Sequence, residues 1–469
     1  MMKIGFIGTG NMGGALASAA ARSGEVEVLL ANRTRAKAET LAERIGAVVS
    51  SNEIIAREAD HIFLGVKPQM IVDVLKGIAP ALKERKSAPV LISMVTGLDI
   101  ARIQELAGGD YPVIRIMPNM PAAVGEGLRR FAEHAGEPFA FGYMPNAGFP
   151  WAREQLAAHL SKEQGVALEA NDVLLTCGAA GGLNAFLRAV INPGEKMLTF
   201  APYFVEYGFY VANHGGSLQA IMSKSGTFEP DLDALEEAID EKTRVVLINS
   251  PHNPTGVVYS RKAVTSLCRL LENKSEQYGH PIWLIADEPY RFLTYDGVEV
   301  PSVLPLYQYA VVISSFSKNL SLPGERVGYV AVSPKLADRA RLMAGLTLTN
   351  RILGFVNPPV VGQHIMAAAL GSQVDVEIYA RRRQAMAEVL TDAGYSFQMP
   401  AGAFYFFPQA PGGDDVAFVN RLVEERVLAV PGSGFGCPGY FRLAFCVDET
   451  VIRNAAEGFA RAYAAVAGK

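Results

Sequence analysis

Residues 3–7 form a short apolar run, Gly8, Gly10 and Gly13 punctuate the turn after it, and residues 12–22 are rich in alanine. A glycine-bounded apolar run of this length predicts a buried strand, and the alanine-rich stretch predicts a helix. A second strand is predicted over residues 26–31. Further short strands over 61–66, 90–94 and 113–117 alternate with helical segments, as a parallel sheet requires. The pattern then lapses: residues 128–141 are charged and poorly periodic, so the boundary of this first unit falls after Gly127. Beyond it β-rich and helical segments alternate again, with strands predicted over 244–249 and 310–313 and no internal repeat or low-complexity tract. The most apolar stretch, residues 173–191, is broken by a glycine cluster and by Asn184 and Arg188, which predicts a buried turn and helix in place of a membrane span.

Composition narrows this picture. A chain of 469 residues, 50% hydrophobic and 19% charged, is too long for one compact core, so two or three domains are expected. The net charge of −4 is spread without long like-charge blocks, which argues against a nucleic acid or an anionic membrane as partner. Cys177, Cys268, Cys437 and Cys446 form no CxxC pair and stand among apolar neighbours, the pattern of buried thiols in a reducing compartment. Neither a disulfide framework nor a metal site is expected. No signal peptide precedes the first strand, and the expected location is the cytoplasm.

The glycine turn carries the first candidate chemistry. Between a strand and a helix, the first glycine permits the tight turn, the second lets backbone amides approach a pyrophosphate, and the third lets the helix pack on the strand. Where an acidic residue would read the ribose of NAD, the chain has Asn32, Arg33, Thr34 and Arg35. A guanidinium beside amide and hydroxyl donors suits a 2′-phosphate, so NADPH is the preferred dinucleotide. A glycine turn with no nucleotide is the plainer alternative.

The segments GFIGTGNMGGAL, ANRT, SNEIIAREADHIFLGVKPQ and VIRIMPNMPAAVGEG together resemble the nucleotide domain of pyrroline-5-carboxylate reductase, over residues 1–127. The resemblance implies a Rossmann-like α/β domain that holds NADP(H) through Gly8, Gly10 and Gly13, the pair Asn32 and Arg33, Asn52 after the third strand, and Lys67 with Pro68 near the nicotinamide. The helical dimerisation half of that family, with its Gly-Gly-Thr-containing signature, does not follow Gly127.

The second unit centres on Lys318, set in SFSKNLSLPGERVG just past the strand predicted over 310–313. Alone, a lysine there reads as a solvated surface residue. Three other motifs change that reading. LIADEPY places Asp287 at the end of a strand rich in Leu and Ile, with Tyr290 one turn further on; NSPHNPTG puts Asn253 in a proline-bounded turn; LPGERVG places Arg326 eight residues past the lysine.

In this order the motifs resemble the fold-type I aminotransferases, the class I and II pyridoxal-phosphate family, over residues 141–465. The resemblance implies a large α/β domain with a mainly parallel sheet over 142–350 and a C-terminal part with a small α/β domain over 351–469. Residues 128–141 would join these to the NADP-binding domain, 1–127. It further implies a transaminase that moves an amino group between an amino acid and a 2-oxo acid, with pyridoxal 5′-phosphate as cofactor. Lys318 would form the Schiff base with the cofactor and shuttle the substrate proton. Asp287 would pair with the pyridinium nitrogen, and Tyr290 and Asn253 would hydrogen-bond the ring's 3′-oxygen. Gly178, Ala179 and Ala180 would form the phosphate turn, with Ser315 and Arg326 as further donors. Phe204 would stack on the ring, with the adjacent Tyr203 as the other candidate.

At the substrate end, Arg442 in FRLAF would hold the α-carboxylate through a bidentate fork. Tyr143 would reach the phosphate of a neighbouring subunit, which implies a homodimer. Arg351 reads either as a selector of the substrate side chain or as a structural arginine. The family's leading helix and glycine-ended extended segment is replaced in this chain by the reductase-like domain. Two further readings stay open: a bifunctional transaminase and imine reductase of proline-type metabolism, and an NADPH-responsive ligand-binding protein on a transferase scaffold.

Overall fold

The apolar runs resolve into three separate sheets. The computed structural model describes residues 2–22, 24–66, 70–95, 98–115 and 142–467, and the backbone groups into the units Met1–Ala140 and Phe141–Lys469. In the first unit six strands, β1 (Met2–Ile7), β2 (Val26–Ala31), β3 (Val48–Val49), β4 (His61–Leu64), β5 (Val90–Ser93) and β6 (Val113–Arg115), lie in the order β3-β2-β1-β4-β5-β6. Every pair is parallel. The chain reverses its direction of travel across the sheet between β1 and β4, which opens a crevice at the carboxyl end of β1, where Gly8 follows. Successive residues of β1 feed different cores: Phe6 packs with Leu16, Leu30 and Leu41, and Ile7 with Leu64, Leu75 and Ile103. Both faces are covered, which is why residues 5–7 of β1 and 28–31 of β2 are buried without alternation. β4 and β5 stop at Leu64 and Ser93, short of the predicted ends at 66 and 94; residues 116 and 117 lie outside the described residues.

The second unit holds a seven-stranded sheet of β7 (Val173–Cys177), β8 (Lys196–Ala201), β9 (Ser217–Met222), β10 (Thr243–Asn249), β11 (Trp283–Asp287), β12 (Ala310–Ser315) and β13 (Val327–Val332), in the order β7-β13-β12-β11-β10-β8-β9. Only β13 runs against its neighbours. The register places Asn249 opposite Asp287 and Asp287 opposite Ile313. All six residues of β12 and all five of β11 are buried, so the strands that carry the candidate residues are anchored in apolar core on both faces.

A smaller antiparallel sheet of β14 (Tyr405–Phe406), β15 (Val430–Pro431) and β16 (Phe441–Ala444) follows in the order β14-β16-β15. It packs with the helices Val376–Asp392, Asp415–Glu424 and Ala456–Ala467 around its own aromatic core, in which Tyr395 meets Phe418, Phe441 and Phe459 edge-on. Asp415, at the start of one of those helices, accepts hydrogen bonds from Ser433 N (2.6 Å), Ser433 Oγ and Gly439 N. That contact ties down the loop leading into β16.

Two expectations are corrected. Residues 173–191 are not turn and helix alone: five of them form β7 before the helix Gly178–Val190 begins, because a run of Val, Leu and Thr ahead of the glycines favours a strand. Cys446 is exposed, unlike the buried Cys268 and Cys437. It follows β16 directly, where the chain leaves the sheet. Among the described residues no helix is long and apolar enough to cross a membrane.

Candidate active site

The carboxyl ends of β7, β10, β11 and β12 meet at one cavity of about 380 Å³. Ala179, Ala180, Phe204, Asn253, Asp287, Tyr290, Ser315, Lys318, Arg326 and Arg442, all singled out in the sequence, line it. Gly178 lies at its edge, immediately before Ala179. Tyr143 and Arg351 are not among the lining residues. Tyr143 is 95% exposed, and Arg351 is exposed in the last turn of the helix Arg339–Ile352.

Asp287 ends β11 and is buried. Its Oδ2 accepts a hydrogen bond from Tyr207 Oη at 2.5 Å, while Oδ1 is buried with no partner among the described residues. Burial pushes the carboxyl up to about 7; the Tyr207 hydrogen bond works in the opposite direction, and the charge of Glu288 adds to the rise. Asn249 braces this residue, because its Nδ2 donates to the Asp287 carbonyl at 2.7 Å and its Oδ1 accepts from Asn253 N at 2.7 Å. Asn253 Oδ1 in turn accepts from Arg442 Nη1 at 2.9 Å. With that oxygen engaged, the amide nitrogen of Asn253 is the group left as a donor.

Lys318 follows β12 in a tight turn and is half-buried, with Nζ 5.6 Å from the Phe404 ring centroid. Burial holds its ammonium below the usual lysine range; Cys446 opposes this, and Arg442 and Arg326 add to it. A shift in that direction favours the neutral, nucleophilic form of the amine.

The opposite wall is an anion seat. The helix Gly178–Val190 directs its first-turn amides toward the cavity edge, and Gly178 takes φ +69°, a left-handed conformation that a side chain would strain. A Cβ on Gly178 would also sit 2.8 Å from Arg326 Nη2, so the guanidinium rests directly on the turn. The cavity thus carries three cations, Lys318, Arg326 and Arg442, against the single carboxylate of Asp287, a balance that favours anionic ligands.

Sequence reasoning missed Tyr207, Tyr405 and Asn249. Tyr207 was within reach, since it lies three residues after Phe204 and so on the same side of a helical turn. The two rings meet edge-on at 5.6 Å.

The glycine turn of the first unit is equally close-packed. A Cβ on Gly13 would lie 2.0 Å from the Gly8 carbonyl oxygen, whereas one on Gly10 would meet nothing within 4 Å. Asn32 Oδ1 accepts from Thr9 N at 3.4 Å, and its Nδ2 donates to the Thr34 carbonyl. The exposed Arg33 extends beside Met70, with Nη1 4.0 Å from its sulfur. Asn52 opens the helix Asn52–Glu58 behind its cap, Ser51. Lys67 lies outside the described residues.

Residues 3–97 match the family NADP oxidoreductase coenzyme F420-dependent, and residues 104–459 match Aminotransferase class I and II. An aspartate aminotransferase of Thermotoga maritima is 34% identical over 314 residues, 65% of this chain and 79% of its own length. An aspartate/prephenate aminotransferase of Thermus thermophilus is 31% identical over 333 residues, 68% of this chain and 82% of its own. An amino transferase crystal structure from Eubacterium rectale matches with a TM-score of 0.70 and 38% identity, over 73% of this chain and 87% of its own. The six-stranded unit therefore carries an NADP-oxidoreductase-type domain, and over most of its length the chain belongs to the class I and II aminotransferase family.

Proposed function

We propose that this chain is a pyridoxal-phosphate-dependent transaminase acting on an amino acid and a 2-oxo acid, with Lys318 as its reacting amine. The observation that carries the reading is Asp287, buried, fixed by Tyr207 on one oxygen and unpartnered on the other, in the same cavity as Lys318. A buried carboxyl oxygen without a partner is costly, and a cationic ring N–H answers it. The rest of the cavity fits the same group: Ala179, Ala180, Ser315 and Arg326 supply donors for a phosphate, Tyr290 and Asn253 for a ring oxygen, and Phe204 an aromatic face. When bound, pyridoxal phosphate supplies an electron sink for the substrate's α-carbon.

The protein's own part follows from its charges. Arg442 holds the substrate carboxylate with the donors not used on Asn253. Lys318, depressed toward neutrality, accepts the Cα proton on Nζ and returns it. Asp287, as the anion, keeps its ring partner charged. Tyr143 is exposed and does not line this cavity, which leaves it available to complete the site of a second copy and supports a homodimer. The domain organisation proposed is a nucleotide unit over 1–127, a junction over 128–141, a large transferase domain over 142–350 and a C-terminal part over 351–469. The first unit binds NADPH through Gly8, Gly10, Gly13, Asn32 and Arg33.

The test is the visible spectrum of the full chain with pyridoxal phosphate, followed through a panel of amino acids that begins with aspartate, the substrate named for the relatives. A band that needs Lys318, disappears in Lys318→Ala and is bleached by an amino acid in the wild type is expected. A folded wild-type protein with no such band overturns the reading.

A further inference from the structure

Tyr405 was not singled out by any motif, yet it touches both ends of the cavity. Its ring lies under the Arg442 guanidinium, 4.8 Å from centroid to Cζ, and the Phe435 ring meets the same guanidinium at 4.9 Å. Its hydroxyl meets the Tyr290 hydroxyl at 2.7 Å, and the two rings stand edge-on at 5.6 Å. It is buried in β14, next to β16, which carries Arg442.

Resting on the transaminase reading, we propose that Tyr405 is a positioning residue that seats Arg442 on its ring face and orients the Tyr290 hydroxyl with its own. If Tyr290 donates to the cofactor's ring oxygen, its lone pairs accept, so Tyr405 must be the donor between the two hydroxyls. Donors in series polarise each other, so Tyr405 strengthens the hydrogen bond that Tyr290 gives. The charged and titratable groups facing this pair are Arg442, Asp287 and Cys446, with Lys318 and Arg326 on the same cavity. One side chain thereby joins the carboxylate seat to the ring-oxygen seat.

Two variants of the holoenzyme separate these roles. Tyr405→Phe keeps the ring and loses the hydroxyl, so the pH midpoint of the Lys318-dependent band should rise by roughly half a unit to one unit, with maleate binding within about twofold of wild type. Tyr405→Leu loses both, so maleate, titrated against the same band, should bind about three- to tenfold more weakly as well. A part confined to packing would lower the melting temperature of Tyr405→Leu and leave the midpoint of Tyr405→Phe in place. An unmoved midpoint in Tyr405→Phe, or unaltered maleate binding in Tyr405→Leu, overturns the proposal while the transaminase reading stands. Absence of the band from wild-type protein overturns both.

Discussion

Tyr207 holds Asp287 by a 2.5 Å hydrogen bond between two buried groups, so the carboxyl that burial pushes up is drawn back toward its anion by a helix residue that no cofactor motif includes. Tyr207 heads the short helix Glu206–Ala212, and its own phenol is driven well above the usual range by burial and by the neighbouring carboxylate. It therefore stays a donor at any working pH.

Replacing Tyr207 with Phe removes a bond that favours the Asp287 anion. A hydrogen bond to a charged group contributes about 1.5–3 kcal/mol, so pyridoxal phosphate should dissociate roughly ten- to a hundredfold more readily, and the acid limb of its binding should move to higher pH. Equilibrium dialysis across pH 5–9 reads both, on a scale of roughly one tenfold change per 1.4 kcal/mol. Equal affinity in the variant would show that Asp287 is held by something else.

Asp287 also links stability to pH in the protein without cofactor. Its folded value of about 7 lies above the ordinary aspartate value of 3.8, so between these limits the native state binds the extra proton and stability falls as pH rises. Asp287→Asn cannot titrate. Wild type should lose melting temperature relative to this variant from about pH 4 to about pH 7, and the difference should level off above that. A constant difference across the range would contradict the raised value.

Gly328 in β13 is pressed against the phosphate turn, where a Cβ would come 2.4 Å from the Gly178 carbonyl carbon and 2.7 Å from Ala179 N. Backbone cannot swing aside as a side chain can. Gly328→Ala should cost about 1–3 kcal/mol of overpacking, seen as a melting temperature lower by roughly 3–8 °C and a pyridoxal phosphate affinity down by about tenfold. Differential scanning calorimetry and cofactor titration would register either change.

In the first unit, the proposed reading has the exposed Arg33 distinguish the two nicotinamide dinucleotides. Arg33→Ala should raise the Kd for NADPH by about tenfold or more, the strength of a charge-assisted contact to phosphate, and leave that for NADH within about twofold. Titration by nucleotide fluorescence separates the two. Equal losses for both would place the 2′-phosphate elsewhere.

Much of the transferase site was legible because its residues stand at strand ends next to Pro, Gly and Ser, where a break in apolar pattern marks the mouth of a parallel sheet. Lys318, Asp287 and Asn253 all lie at or just beyond such ends. Asn249 went unread because it ends a strand after four apolar residues and points its amide at backbone, a role that leaves no motif. Tyr405 sits in the aromatic run Phe404, Tyr405, Phe406, Phe407, and only the pairing of the two-residue β14 with β16 decides which ring faces Arg442. Cys446 was read as buried from its neighbours, although the chain is already leaving the sheet there. In the first unit the alternation of strands and helices pointed to a parallel sheet but not to its strand order, and β4 and β5 ended one or two residues short of the apolar runs.

The pairing of Asp287 with Ile313 has a consequence for how this enzyme tolerates change. Lys318 comes five residues after Ile313, so its reach toward Asp287 depends on a ladder whose other rungs, Leu284 with Ala310, Ile285 with Val311 and Ala286 with Val312, are purely aliphatic. A slip of one rung would carry the amine about 3.3 Å along the sheet and turn alternate side chains to the opposite face. The spacing between nucleophile and carboxylate is thus calibrated by methyl groups far from any reactant, and conservative swaps among them should surface as altered turnover before they surface as unfolding.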